Sequence, residues 1–196
     1  MTTTTARVQG EQSAFQRAFG VFAECLLTGV WIFLGALPLV TLPAACAAGA
    51  AHLRRHLAHE ESGWRQFVAD WRSAVRRGWL AGLAGWGVLA LLWADFAAVR
   101  AGLPGGPFVG AVGVGAAVVV VVGGLRAAVR WRPGASWREL FAAGARHTLR
   151  DPAGSMVLVC GFAVIAASAW FAAPLLAPAL GMVTAAAIAV ERRRTG

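Results

Sequence analysis

From Phe19 to Ala51 the chain carries one charged side chain, Glu24, and two prolines, Pro38 and Pro43, near the middle of the run. An unbroken helix over this stretch would reach about 50 Å at ~1.5 Å per residue, well beyond a hydrocarbon core of ~30 Å. Proline removes a helical hydrogen bond and clashes with the preceding turn. The stretch PLVTLP therefore predicts a turn between a first membrane helix, Phe19–Leu37, and a second one returning from Pro43 into HLRRHL. Pro43 suits the first turn of that second helix, and Thr41 is placed to cap its amides. Few residues separate Pro43 from His52, so the returning helix needs either snorkelling arginines at its end or a shallow, partly re-entrant course. The alternative is a single kinked span.

Four further apolar runs follow: Trp79–Val99, Phe108–Leu125, Met156–Ala173 and Leu175–Val190. With 58% hydrophobic and 14% charged residues and a mean hydropathy of +0.63, the composition departs from the soluble average in the direction of a membrane protein. AGLPGGP (residues 101–107) and AAPLLAP (172–178) are short Gly/Pro turns. The other connections are rich in arginine, with Arg54, Arg55, Arg65, Arg72, Arg76 and Arg77 in one and Arg126, Arg130, Arg132, Arg138, Arg146 and Arg150 in the other. Arg192, Arg193 and Arg194 close the chain. The positive-inside rule places these segments and the C-terminus in the cytoplasm. It also explains the formal charge of +9 without a nucleic-acid partner. The two-helix reading then gives six spans with both ends inside; the single-span reading gives five and an external N-terminus.

The expected architecture is an all-α, polytopic transmembrane bundle. A polar cytoplasmic N-terminus occupies 1–18, one membrane domain 19–190, and a basic tail 191–196. The N-terminal MTTTTARVQGEQSAFQR lacks a nearby apolar h-region and an A-x-A site, so a retained first helix is expected rather than a cleaved signal. Cys25, Cys46 and Cys160 all fall in apolar segments without CxxC spacing and read as buried free thiols.

The two arginine-rich connections echo each other. SGWRQFVADWRSAVRR (62–77) aligns with ASWRELFAAGARHTLR (135–150) at a constant offset, which suggests repeat units over 43–99 and 108–173. Trp64, Phe67, Val68, Trp71 and Val75 follow an amphipathic helical spacing, and Trp137, Leu140, Phe141 and Leu149 occupy the equivalent face of the second segment. Both are expected as cytoplasmic elbow helices, aromatics inserted in the inner leaflet and arginines near anionic headgroups. A basic connection between two spans is also amphipathic without any duplication.

Glu24 is the most constrained candidate, because a carboxylate within a span must pair, face the bundle or sit near the headgroups. It reads either as a proton- or cation-sensitive site or as a structural or interfacial acid. Asp95 lies near the outer end of its span, where an acid is ordinary. His52, His56 and His59, with Glu60, share one helix face at spacings that permit metal chelation. No HExxH accompanies them and Arg54 and Arg55 repel cations, so a solvated helix end is the default and no metal or cofactor is assigned. Gly78-xxx-Gly82 and Gly106-xxx-Gly110 fit close helix packing. The chain lacks GxSxG, a phosphate-binding loop and a GxGxxG unit, so no catalytic residue is assigned and a non-enzymatic role is expected.

The Pro38, Val40, Thr41, Pro43, Ala44 element, followed by Trp64, Phe67, Trp71 and Arg77, resembles the YesL-like family of bacterial membrane proteins, a domain of unknown function. The resemblance covers most of the chain, with residues 20–80 carrying its distinctive pattern. The histidine cluster and the many alanines depart from it. The resemblance implies a multi-pass protein of the bacterial cytoplasmic membrane, an accessory or component of solute (sugar) uptake with a membrane or transporter partner. Two other classes compete. One is a scaffold or regulator docking a partner through Trp64, Trp71 and Trp137; the other is a membrane-embedded enzyme, which needs a clustered polar site.

Overall fold

The computed structural model describes residues 2–58, 60, 63–101, 106–171 and 176–192. His59, Arg193, Arg194 and parts of both Gly/Pro turns lie outside these residues. The described chain is all-α, with seven helices: α1 (Thr2–Gly35), α2 (Leu42–Leu57), α3 (Trp64–Arg100), α4 (Gly106–Arg130), α5 (Trp137–Arg150), α6 (Pro152–Phe171) and α7 (Leu176–Arg192). Residues 2–18, expected as a polar lead-in, are helical and continuous with the first apolar run.

The two prolines do turn the chain back. Ile32 of α1 packs on Gly49 of α2, and Glu24 meets His52, so the two helices run antiparallel. α2 begins at Leu42 with Pro43 in its first turn, where the missing amide costs nothing. Thr41, however, does not cap α2. Its hydroxyl points back to α1, donating to the Gly35 carbonyl at 2.6 Å with the Pro38 carbonyl at 2.8 Å. The last carbonyls of α1 have no helical partner, and a hydroxyl has a single proton to give. The indoles of Trp71 and Trp86 complete the turn by donating to the carbonyls of Gly35 at 3.1 Å and Leu39 at 2.8 Å. Pro38, Thr41 and Pro43 thus act as a structural unit held by two tryptophans of α3.

α2 is the axis of the bundle. Ala44 through Leu53 are all buried, and α1, α3, α4 and α7 surround them. Its AACAAGAA run presents little more than methyl groups, which lets four helices approach closely; small residues do this in lipid, where dispersion rather than water drives packing. A β-carbon at Gly49 would strike Ile32, and one at Gly82 would strike the Val40 carbonyl. Of the glycine pairs, Gly78 and Gly82 are both close-packed, against Trp137 and Val40, whereas Gly110 has only Val99 near it, at 3.9 Å from an added β-carbon.

The remaining helices alternate in direction. α3 opposes α2 through Arg55–Asp70 and Val40–Gly82. α4 returns alongside α3. α6 leaves from the arginine-rich end, and α7 comes back along it, with Gly161 on Val183 and Gly154 near Val190. α7 closes the bundle against α1, where Gly181 lies under the Cys25 carbonyl. Among the described residues, two helices are by length and apolar content able to cross a membrane, Trp64–Arg100 and Phe108–Arg130. A third is added if α5 and the start of α6, bent by 106°, count as one broken span. Phe19–Gly35 and Pro178–Glu191 are apolar but shorter.

The segments expected as elbows behave differently from each other. Residues 64–77 form no separate elbow; they are the first turns of the continuous 37-residue α3. Residues 137–150 are the separate helix α5, set at 106° to α6. The cause is one residue in each. At the shared offset Gly78-Trp79 corresponds to Asp151-Pro152, and proline both lacks an amide and drives the preceding residue out of the helical region. Asp151 instead caps α6, accepting the Gly154 amide at 3.1 Å.

Nor are the aromatics of these segments free to enter lipid. Phe67 is buried on Trp31, Trp71 lies against the end of α1, and Trp137 is buried with its indole donating to the Ala74 carbonyl at 3.2 Å. Trp64 alone of the three expected anchors stays exposed. Leu149, expected on the apolar face of α5, is also exposed. An amphipathic stripe reports an apolar neighbour without saying whether that neighbour is lipid or protein. Cys25 and Cys46 are buried as expected, but Cys160 is exposed on α6, a helix apolar on every side.

Candidate functional site

Charged side chains converge inside the arginine-rich end of the bundle, in three groups. The first joins α1 and α2. Glu24, one side of its carboxylate open, places Oε1 2.6 Å from Nε2 of His52, whose ring is wholly buried. The edge of Trp31 packs on that imidazole, with ring centres 4.8 Å apart, and Trp64 and Phe67 of α3 extend the aromatic wall. Two apolar helices thus bring a carboxylate and an imidazole into hydrogen-bonding contact under a cover of indole and phenyl rings. Such a cover lowers the local dielectric and strengthens the pair. One helical turn further along α1, the buried Thr28 hydroxyl finds no partner among the described residues.

The second group centres on Arg126 of α4, which is 1% exposed. Its Nη2 donates to Asp151 Oδ2 at 3.0 Å and lies 3.4 Å from the Ser155 hydroxyl. Glu191 of α7 stands 3.6 Å from Nη1 and also reaches Arg130 Nε at 3.9 Å. The Ser155 hydroxyl in turn donates to the Asp151 carbonyl at 2.7 Å. Two carboxylates from two elements therefore neutralise one buried guanidinium, so α4, α6 and α7 are tied together at the same level. Burial without such partners is prohibitive for a charge.

The third group stabilises the end of α2. Arg55 pairs with the buried Asp70 of α3. Arg54 donates to the carbonyls of Val129 and, at 2.8 Å, Trp131, satisfying the last turn of α4.

Of the residues singled out in the sequence, the structure brings Glu24, Trp64 and Phe67 into one neighbourhood around Trp31 and His52. Pro38, Thr41, Pro43 and Trp71 gather at the α1–α2 turn, and Trp137 lies apart against Gly78. The histidines do not act as a cluster. His52 turns into the bundle, His56 is half-buried, and His59 is outside the described residues. No group of three metal-ligating side chains occurs among the described residues. His52 was expected on a solvated helix end, and Arg126 was not distinguished from its neighbours as the partner of Asp151. The signal that marks them is shared: each lies where an apolar run meets a basic one, and there burial depends on the neighbouring helix.

Farther from these charges, among α2, α3, α4, α6 and α7, lies a chamber of about 270 Å³ bounded mainly by Leu42, Cys46, Trp86, Phe162 and Leu180, with Thr184 on its wall. Its lining is overwhelmingly carbon. No protein family, curated protein or solved structure matches this chain.

Proposed function

We propose that the chain is a six-span protein of the bacterial cytoplasmic membrane, YesL-like, acting as a non-enzymatic accessory of solute uptake, with sugars as the solute class. The observation that supports an accessory rather than a conduit is the way interior polar groups are used. Glu24, His52, Arg55, Asp70, Arg126, Asp151 and Glu191 bond one another at one end of the bundle, and the chamber beyond them is apolar. Hydrophilic solutes need polar groups along their route, and here those groups are engaged in holding helices together. The sugar assignment rests on the YesL-like resemblance of residues 20–80.

Six spans are favoured by the alternating helix directions together with the placement of arginine. The ends of α2, α4 and α7 and the starts of α3 and α6 lie on one side with the basic connections, as the positive-inside rule requires for a cytoplasmic face. α1, α2 and α7 complete the count as short crossings, by local thinning or snorkelling.

The test is uptake of labelled sugars by cells lacking the gene and by cells carrying Glu24→Gln. Loss of the gene should lower uptake of at least one sugar, while Glu24→Gln should leave both protein level and uptake intact. Abolished uptake by Glu24→Gln at an unchanged protein level would replace the accessory with a proton- or cation-coupled transporter. A scaffold reading keeps one supporting observation, the exposure of Leu57 at the end of α2 and of Trp64 at the start of α3.

A further inference from the structure

We infer that the cleft between α3, α4 and α5 is a binding site for one anionic phospholipid, its phosphate held by Arg77 and Arg138 and an acyl chain lying between α3 and α4. The inference rests on the membrane placement proposed above. The cleft, of about 780 Å³, begins at Arg77, Ser136 and Arg138 and continues between Leu80, Ala84 and Val88 of α3 and Val119, Val120 and Gly123 of α4. Small side chains on both walls leave the groove open, while its rim is charged. A second hollow, lined by Arg72, Ser73, Arg76 and Arg77 and by the Pro133-Gly134 turn, adjoins it through Arg77 and Gly134.

The arginines of this corner differ from those inside the bundle. Arg54, Arg55 and Arg126 each bind a named carbonyl or carboxylate. Arg72, Arg76, Arg77 and Arg138 are exposed, and none of them forms an ion pair among the described residues. No acidic residue lines either hollow. Four guanidiniums at one end of an apolar groove complement a molecule with a negative head and a hydrocarbon tail. A free phosphate leaves the groove unfilled, and a peptide leaves its backbone amides without partners between Val88 and Val119. Arginine meets phosphate with a planar, two-pronged donor set, and the groove runs inward from those donors.

The experiment extracts the full-length protein into mild detergent from membranes containing anionic and zwitterionic phospholipids and measures retained lipid by native mass spectrometry. Wild type should keep about one anionic phospholipid per chain. The double variant Arg77→Gln/Arg138→Gln should retain it ~30-fold more weakly, from about fivefold per guanidinium. Arg146→Gln/Arg150→Gln, with the same loss of charge on α5 outside the cleft, should match wild type, and Ala84→Trp should displace the lipid by filling the groove. Equal losses in both double variants, no effect of Ala84→Trp, or retention of inorganic phosphate in place of lipid would each overturn the site. A protein that fractionates away from membranes defeats the membrane reading itself. A membrane-bound protein with unselective lipid defeats the site alone.

Discussion

Arg126 shows how little room a buried charge has in this bundle. It is enclosed by Asp151, Ser155 and Glu191, and its Nε has no partner among the described residues. Removing one member of a buried ion pair strands the others, a loss of about 3–5 kcal/mol. Arg126→Ala should therefore lower stability by that order, read as the shift in unfolding midpoint in detergent micelles. Asp151→Asn should cost less than Asp151→Ala, because asparagine still caps α6 through the Gly154 amide. Equal costs for the two would show that the cap contributes nothing. Glu24 and His52 join α1 to α2 by a hydrogen bond that glutamine at position 24 can still make, and their contact was not legible in the sequence. Nothing local to HLRRHL says that His52 faces inward while Arg54 turns to α4.

Among the elements, α3 and α5 carry related sequences into different shapes. Residues 64–77 continue into a helix of 37 residues, about 55 Å at ~1.5 Å per residue, which exceeds a ~30 Å hydrocarbon core. Residues 137–150 stop at Asp151-Pro152. Proline in a helix interior costs ~3 kcal/mol or more, so Trp79→Pro should destabilise α3 by that amount and introduce a bend there. Pro152→Ala should change stability by under ~1 kcal/mol, since Asp151 still caps α6 and Arg126 still holds Asp151. Spin-label distances between the first turns of α3 and its far end should shorten in Trp79→Pro. An unchanged distance would mean that packing on Trp137 and the α1–α2 turn keeps the helix straight without its hydrogen bond. The amphipathic spacing of both segments was readable; what covers it was not, because Phe67 and Trp137 find protein where lipid was expected.

On the scale of the molecule, α1, α3, α4 and α7 surround α2. The basic connections meet at one end, and the aromatic-rich, exposed surface of α3 (Trp79, Trp86 and Trp93 among it) faces outward, as a lipid-facing surface with interfacial tryptophans would. Sidedness is open to direct measurement with single cysteines and a membrane-impermeant maleimide in intact cells. Thr5→Cys should label only after permeabilisation, and Ala101→Cys should label from outside. Labelling of Thr5→Cys from outside would leave five spans and an external N-terminus. Labelling of Ala101→Cys only after permeabilisation would remove the alternating layout altogether.

The sequence by itself determined the all-helical class, the approximate places of the apolar segments, and a break between Pro38 and Pro43. These follow from local causes, namely run length, proline's missing amide and arginine's hydration, and each is written in consecutive residues. Tertiary structure alone decided that the alanine run of α2 is the axis, that His52 is buried on Glu24, that Thr41 donates backward to Gly35, and that Arg126 is neutralised from two other helices. In an apolar chain every helix face looks alike, so which face is covered depends on helices distant in sequence. A charge becomes interior only when those helices supply its partner.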